Sequence, residues 1–328
     1  MKTILLAMGI TGLTVFGSTA NAAPTVYIPL GSGNQVIAVD AATDRILASY
    51  PAVDNPHGLV ATPDGEYLIA GSLVETPLPV GAAHDTPNSK LFLIHPQHGH
   101  VMRTVPVAGW SHHQAITPDG RYVLSTHPTR NAISVLDLVG NKIVQTIATG
   151  AGPNYTLITR DGKRAYVGNA GDGTISELSI PGWTITRSFA GGPEPEHLTW
   201  SRDERLLYAI SPKAGTIAEI VVADGKVKRS FPVGKGAHGL DISDDAKTLY
   251  ASARGEDKLV AIDIASGKTR TLALAPAPYH LNTIHGAGKV YVSSSKKPLI
   301  WVVDQKTFKL VGTIALPAGE GHQMAIVP

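Results

Sequence analysis

The sequence of 328 residues predicts an all-β fold, a seven-bladed β-propeller. Three observations lead to this prediction. A similar unit recurs about every 42 residues, each unit holds four short apolar runs, and the two ends of the chain complement each other. No segment shows a helical period of useful length. A repeat protein can fill this length as one unit, so we expect a single domain over residues 23–328.

The repeat is recognised by a ring-bearing residue at the start of each unit. One unit reads HGLVATPDGEYLIAGS, the next HQAITPDGRYVLSTH, and the last is truncated to HQMAIVP. Successive anchors are separated by 56, 42, 42, 41, 42 and 42 residues. The long first interval contains an insertion over residues 73–88, rich in Pro, Gly and Ala. The seven anchors are His57, His113, Tyr155, His197, His238, His280 and His322.

Each unit has the elements of one propeller blade. A first strand, such as residues 59–61, runs into the turn Pro63-Asp64-Gly65, in which Gly tolerates a positive φ and Asp caps the turn. A second strand follows at residues 67–70. The third and fourth strands are exemplified by residues 132–136 and 143–147, rich in β-branched residues.

The two ends of the chain predict how the ring closes. Residues 26–29, 36–40 and 46–50 supply only the last three strands of a blade, and the C-terminal HQMAIVP supplies the missing innermost strand. Pairing these segments leaves no open sheet edge to aggregate.

The first 22 residues are typical of a secretory signal peptide. Lys2 precedes an apolar run, and Ala20-Asn21-Ala22 resembles a cleavage site. The run is too short for a membrane span, and no lipid-bearing Cys follows it. We therefore expect an exported protein, periplasmic or secreted, without a membrane anchor.

Composition excludes several functions. With 28 basic and 26 acidic residues, the chain lacks the excess positive charge of a nucleic-acid-binding protein. Zero cysteine excludes disulfides, thiolate metal sites and covalent haem attachment. Any metal must be held by His, carboxylate, Tyr or Met. No G-x-S-x-G, S-x-x-K or P-loop motif is present.

Several segments resemble the YVTN-type β-propellers, exported proteins with repeats of the form PxGLAxxPDGxxLYV. The resemblance covers the whole mature chain and implies the propeller fold, whereas propellers carry too many activities for it to imply one. The segments that carry it are PHGL at 56–59, TPDG at 62–65 and 117–120, and AYVGN at 165–169.

The anchors place six histidines at one position of the repeat. The innermost strands of a propeller line its central channel, so equivalent residues of all blades converge there. Imidazole is the commonest metal ligand and suits Cu, Zn, Ni and Fe. The alternative is that duplication copied one histidine whose ring only bonds backbone and water. The predicted metal ligands are His57, His113, His197, His238, His280 and His322.

Such a histidine ring resembles the copper sites of nitrous oxide reductase and thiocyanate dehydrogenase, exported propeller enzymes with a multi-copper centre at the axis. The resemblance implies copper and redox chemistry. Two departures stand against it: this chain lacks a cysteine-bearing electron-transfer domain, and it has Tyr155 in one anchor position.

Other residues complete the predicted site. His127 follows a second strand on the anchor face and is predicted as an additional metal ligand. Tyr155 and Glu196 are predicted to transfer protons as catalytic residues. His84 lies in the insertion, which either folds over the channel as a lid or is a solvated loop. His112 is expected to point away from the axis, because side chains of a strand alternate.

Three functions remain open from the sequence. The first is a copper-binding propeller, or one for another transition metal, for redox catalysis or metal handling. The second is a non-enzymatic module that binds a tetrapyrrole or a periplasmic protein partner. The third is a metal-dependent lyase or lactonase that acts on a small molecule.

Overall fold

The computed structural model describes residues 23–51 and 53–328, so the predicted signal peptide lies outside the described residues. The chain folds into seven four-stranded antiparallel sheets arranged as a ring. This confirms the seven-bladed propeller. Two single-turn 3₁₀ helices, Pro128–Arg130 and Arg254–Glu256, follow second strands. Among the described residues, no helix has the length and apolar character needed to cross a membrane.

The strands of each blade follow one another from the innermost to the outermost, and blade 7 alone joins distant parts of the chain. Blade 1 consists of β4 (Pro56–Ala61), β5 (Leu68–Ser72), β6 (Ser89–His95) and β7 (His100–Val107). Blade 2 consists of β8 (Gln114–Ile116), β9 (Tyr122–His127), β10 (Ala132–Asp137) and β11 (Lys142–Ala148). Blade 3 consists of β12 (Pro153–Ile158), β13 (Arg164–Asn169), β14 (Thr174–Ser179) and β15 (Thr184–Ala190).

The remaining blades repeat this order. Blade 4 consists of β16 (Leu198–Trp200), β17 (Leu206–Ser211), β18 (Thr216–Val221) and β19 (Lys226–Pro232). Blade 5 consists of β20 (Ala237–Ile242), β21 (Thr248–Ala253), β22 (Lys258–Asp263) and β23 (Thr269–Ala273). Blade 6 consists of β24 (Pro278–Ile284), β25 (Lys289–Ser294), β26 (Leu299–Asp304) and β27 (Lys309–Ala315). Blade 7 consists of β28 (Ala325–Val327), β1 (Thr25–Leu30), β2 (Gln35–Asp40) and β3 (Arg45–Pro51).

Blade 7 closes the ring as the sequence predicts. Strand β28 pairs antiparallel with β1, and Tyr27 lies opposite Ala325. A further bridge between Leu30 and Gly321 extends the pairing towards the centre of the ring. The N-terminal and C-terminal segments are therefore held in one sheet.

The turns after the innermost strands are built around aspartate. Asp64 accepts hydrogen bonds from Thr62 Oγ1 at 2.5 Å and from the Glu66 amide at 3.0 Å, while Gly65 takes a φ of +70°. The predicted structural role of this Asp is confirmed. The same Thr or Ser to Asp bond recurs in the equivalent turns at Asp119, Asp161, Asp203 and Asp245.

The hydrophobic core lies between neighbouring blades. Ile28 and Ile37 of blade 7 pack against Tyr291 and Ile300 of blade 6, and all four are fully buried. The outermost strands are mostly exposed, as in β3. Because packed interfaces hold each blade on both sides, the innermost strands are fixed around a common axis.

Candidate functional site: a histidine cluster at the propeller axis

The sequence anchors meet at the axis, but they occupy two successive positions of the repeat. In blade 4, Leu198 follows His197 directly and pairs with the third-last residue of the second strand. In blade 5, Leu240 makes the equivalent pairing, yet Gly239 lies between it and His238. The prediction that all anchors share one position is therefore wrong. Anchors separated by 41 or 42 residues can still differ by one position in the pairing of the innermost strand, and the sequence does not show this offset.

Strand pairing in the seven blades defines the two tiers. The upper tier, which comes first along each innermost strand, consists of His57, His112, Asn154, Glu196, His238, Tyr279 and His322. The lower tier, one residue further, consists of Gly58, His113, Tyr155, His197, Gly239, His280 and Gln323.

A β-bulge at the start of each innermost strand explains why adjacent residues both reach the axis. His112 N–H donates to Thr126 O at 2.9 Å, and Thr126 N–H donates to His113 O at 3.0 Å, so two residues lie opposite one. A bulge interrupts the alternation of side chains. The expectation that His112 points away is wrong: its ring stacks on His57 at a centroid distance of 4.3 Å.

The upper tier is a ring of contacting side chains. His57 also lies 4.1 Å from His322, which comes from the closing blade. The Tyr279 ring stacks on His238 at 4.3 Å and 12°. Contacts between side chains from several blades show that the channel is filled at this level.

The lower tier contains three histidines that face one another. The ring centroids of His113 and His197 are 5.1 Å apart, and those of His197 and His280 are 4.9 Å apart. His57 connects the tiers, at 4.9 Å from His113 and 5.0 Å from His280. The result is one continuous cluster, whose imidazoles come from six of the seven blades (all except blade 3).

Three groups within the cluster have the geometry of a metal site, with ligand nitrogens that all lie within 4.8 Å of one another. Any two groups share one histidine. A modest rotation of the rings brings such donors to the 2.0–2.1 Å bonds of a transition metal. The three groups are His57–His280–His322, His57–His112–His113 and His113–His197–His280.

Several imidazole nitrogens of the cluster are buried and have no hydrogen-bond partner among the described residues. They include Nε2 of His113 and of His197, Nδ1 of His322 and both nitrogens of His57. The other nitrogen of His113 lies 3.0 Å from the Asn154 carbonyl oxygen, which fixes its N–H on Nδ1. An unsatisfied buried polar atom costs about 1–3 kcal/mol, so these nitrogens require partners.

The buried histidines are held in the neutral form that binds metals. Burial lowers the pKa of His112 to about 4 and of His238 to about 3. Burial, followed by neighbouring imidazoles, lowers the pKa of His57, His113 and His280 well below the ordinary value. Above pH 6.5 these five histidines therefore present lone pairs rather than charges.

Two carboxylates contact histidines of the upper tier. Glu196 Oε2 lies 2.7 Å from His238 Nδ1, which leaves Nε2 directed at His280, 3.5 Å from its Nε2. Glu320 Oε1 lies 3.3 Å from His322 Nε2, and the other oxygen of this carboxylate, Oε2, accepts a hydrogen bond from Ser32 Oγ at 2.6 Å. Burial raises the pKa of Glu196, whereas the contact with His322 and the bond from Ser32 lower that of Glu320 to about 2.

Tyr155 lies in the lower tier between two histidines, 4.9 Å from His113 and 5.1 Å from His197. Burial, and then the charge of Asp241, raise the pKa of its hydroxyl far above the ordinary value, while a hydrogen bond with Gln323 opposes this shift. The phenol thus keeps its proton. The catalytic roles of Tyr155 and Glu196 remain predictions.

His127 lies outside the three groups of metal-compatible histidines. Its Nδ1 is 3.1 Å from Trp110 O and its Nε2 is 2.7 Å from Ser134 Oγ, so both nitrogens already have partners. It lines a separate cavity of about 160 Å³ together with His84 and Arg130. The structure does not bring His127 into the cluster.

The insertion of residues 73–88 is tied to blade 2 rather than folded across the cluster. Glu75 accepts hydrogen bonds from the Trp110 amide at 2.9 Å, Thr129 Oγ1 at 2.7 Å and Arg130 at 3.1 Å. Hydrogen bonds from Thr129 and Asn88 lower the pKa of Glu75 to about 2 against the opposing effect of burial. No described contact joins the insertion to the seven imidazoles of the cluster.

Sequence reasoning missed His112, Tyr279 and Gln323 as members of the tiers. The signal for them was present: they lie next to anchors, and the Gly after His57 and His238 marks the shifted register. A Cβ at Gly239 would lie 2.5 Å from the Tyr279 carbonyl oxygen, so the lower-tier position admits only Gly there.

Comparisons with known proteins agree on the fold and do not assign a family. No protein-family model and no curated protein sequence matches the chain. The resemblance to YVTN-type propellers therefore stays a prediction. Solved structures match over nearly the whole chain at low sequence identity.

Three of these structures show how similar the fold is and how low the sequence identity is. The periplasmic gluconolactonase of Pseudomonas aeruginosa has a TM-score of 0.74 and 17% identity, covering 93% of this chain and 99% of its own. Hydrazine synthase of Kuenenia stuttgartiensis has a TM-score of 0.73 and 16% identity, covering 90% and 99%. Dihydro-heme d1 dehydrogenase NirN, in complex with DHE, has a TM-score of 0.68 and 16% identity, covering 93% and 67%.

Fold and site together define a class: a seven-bladed β-propeller with a buried histidine cluster at its axis. At these identities the comparisons establish the fold alone.

Proposed function

We propose that the protein binds copper in the axial histidine cluster and uses it for redox catalysis or metal handling in the periplasm or outside the cell. The observation that carries the proposal is the set of three overlapping histidine groups with nitrogens within 4.8 Å. Unpartnered buried nitrogens in every group fit a metal better than they fit structural hydrogen bonding.

The donor set favours copper among the divalent ions. All members of the three groups are histidines, and the chain contains no cysteine. Imidazole sites suit Zn, Cu, Fe and Ni, and the affinity order of these ions peaks at Cu²⁺. Bound copper would supply one-electron chemistry. The protein's own contribution is to bury His57, His113 and His280 as neutral donors, while Glu196 and Glu320 contact His238 and His322.

The proposal includes an exported location and has two alternatives. The signal-peptide pattern of residues 1–22 supports export, and one similar structure is a periplasmic gluconolactonase. Two other functions, a lyase or lactonase and a tetrapyrrole- or partner-binding module, would give different experimental results from copper binding. Neighbouring ring centroids in the tiers are about 4–6 Å apart, which leaves no space for a macrocycle inside the cluster.

Metal quantification tests the proposal. Protein purified from the periplasmic fraction is expected to contain copper, and His113→Ala combined with His280→Ala should lose it, because every group then lacks a ligand. His285→Ala is the matched control, since this histidine is 59% exposed and pairs with Asp244 instead. Metal content unchanged in the double variant would reject the site. A Soret band would indicate a tetrapyrrole, and lactone hydrolysis without copper would indicate a lactonase.

A further inference from the structure

His57 differs from every other histidine of the cluster. Both of its ring nitrogens are buried without a hydrogen-bond partner among the described residues, and the side chain is 2% exposed. A neutral imidazole has one N–H donor and one lone pair. Any single bound ion would occupy the lone pair and leave the N–H buried and unsatisfied.

His57 also belongs to two groups whose other members differ. One group adds His112 and His113 from blade 2, and the other adds His280 from blade 6 and His322 from the closing strand region. The ring centroids of His112 and His322 are 4.3 and 4.1 Å from the ring centroid of His57. The two groups therefore share one imidazole and take their other ligands from blades on either side of it.

We propose that the cluster holds two metal ions that share His57 as a bridging ligand. One ion is bound by His57, His112 and His113, and the other by His57, His280 and His322. This inference rests on the proposed metal-binding function and adds the number of ions and the residue that couples them.

Formation of the bridge releases one proton from His57. The first ion binds the lone pair of neutral His57. When the second metal–nitrogen bond forms, the N–H bond breaks, the proton leaves to solvent, and His57 becomes an imidazolate with one nitrogen on each ion. Both buried nitrogens are then satisfied, and no oxidant or reductant is required.

The third group, His113–His197–His280, is the competing arrangement. It takes one ligand from each of the other two groups, so an ion bound there excludes the two-ion state. His197 is a ligand only in this competing arrangement. The His197→Ala variant therefore separates a two-ion centre from a single ion in the lower tier.

The test is a Cu²⁺ titration of metal-free protein, followed by electron paramagnetic resonance and by metal counting after desalting. His98→Ala with His100→Ala serves as the background, because these exposed histidines would otherwise bind copper at the surface. We expect the signal to reach one spin per chain at the first equivalent. In spectra recorded at liquid-helium temperature it should then fall to below about a tenth at the second, because an imidazolate couples two Cu²⁺ ions antiferromagnetically. His197→Ala should behave in the same way, whereas His112→Ala should stop at one uncoupled ion.

Each of the other outcomes would overturn the shared-His57 centre. Saturation at one ion, two ions with a doubled signal, or loss of the first ion in His197→Ala would overturn the shared-His57 centre while leaving the proposed function in place. No tight Cu²⁺ binding at all would overturn both. Circular dichroism of each variant shows that the propeller is intact, and the titration of the background protein does not depend on any axial substitution.

Discussion

Substitution of Gly239 tests how closely blades 5 and 6 approach each other at the lower tier, with the free energy of unfolding as the measured quantity. A Cβ at this position would lie 2.5 Å from Tyr279 O and 2.9 Å from Leu281 N, both backbone atoms of the next blade. Real Cβ contacts of this kind are farther apart, so Gly239→Ala must push blades 5 and 6 apart. Overpacking of a tight interface costs about 1–3 kcal/mol. The lower entropy of the unfolded Ala chain offsets about 0.4–1 kcal/mol of this cost.

The expected net loss in the free energy of unfolding is therefore about 1–2 kcal/mol, measured by urea unfolding of metal-free protein with tryptophan fluorescence. Gly312→Ala is the matched control. The nearest atom to a Cβ there is Val302 Cβ at 3.9 Å, an ordinary contact, so this change should be neutral or slightly stabilising. If Gly239→Ala unfolds at the same urea concentration as the parent while Gly312→Ala behaves as expected, the proposed close approach of the blades is wrong.

Three further predictions concern buried charge and pH. Arg229→Ala should lower the free energy of unfolding by about 2 kcal/mol in urea, because it removes two hydrogen bonds from the buried Glu219 carboxylate and leaves it to Lys228, whose Nζ lies 3.2 Å from Oε1. Glu75→Ala should raise the rate at which a non-specific protease cleaves residues 73–88 about tenfold, since four groups lose their acceptor. Burial lowers the pKa of His112 and of His127 to about 4, so their contribution to stability is complete above pH 6.5. It should be lost as pH falls towards 4, by about 1.4 kcal/mol per pH unit for each, measured by urea unfolding at several pH values.

Controls for these predictions are present in the chain. Arg205→Ala removes an exposed pair with Asp203 and should cost under about 1 kcal/mol. Glu66→Ala, remote from the insertion contacts, should leave protease cleavage unchanged. The acid effect should shrink in His112→Ala and His127→Ala variants. A cost for Arg229→Ala no larger than for Arg205→Ala, or stability that is flat between pH 6.5 and 4, would contradict the respective prediction.

The fold was predictable because a propeller repeats its chemistry. The period, the Asp turns and the complementary ends led to seven blades and to closure through the C-terminal strand, and the structure has both. Most strand boundaries agree within one or two residues, as for residues 143–147 against β11 (Lys142–Ala148), whereas β4 (Pro56–Ala61) begins three residues before the predicted residues 59–61.

The candidate site was predictable only in part. The convergence of His57, His113, His197, His280 and His322 follows from their place at the start of innermost strands. The tiers do not follow from it, because a bulge changes which side chains face the axis without changing the repeat period. His112 was lost for this reason.

His127 shows the opposite limit of sequence reasoning. Its place at the end of a second strand on the anchor face is correct, yet its ring turns to Trp110 O and Ser134 Oγ. A sequence gives the position of a side chain in the repeat and does not give its hydrogen-bond partners.

The closing strand has a consequence for biogenesis. His322 and Gln323 reach the axis only when the last residues of the chain have paired with β1, near Tyr27. A chain in which residues 325–327 have not yet paired lacks this part of the cluster. The complete cluster therefore forms only after strand β28 has joined blade 7.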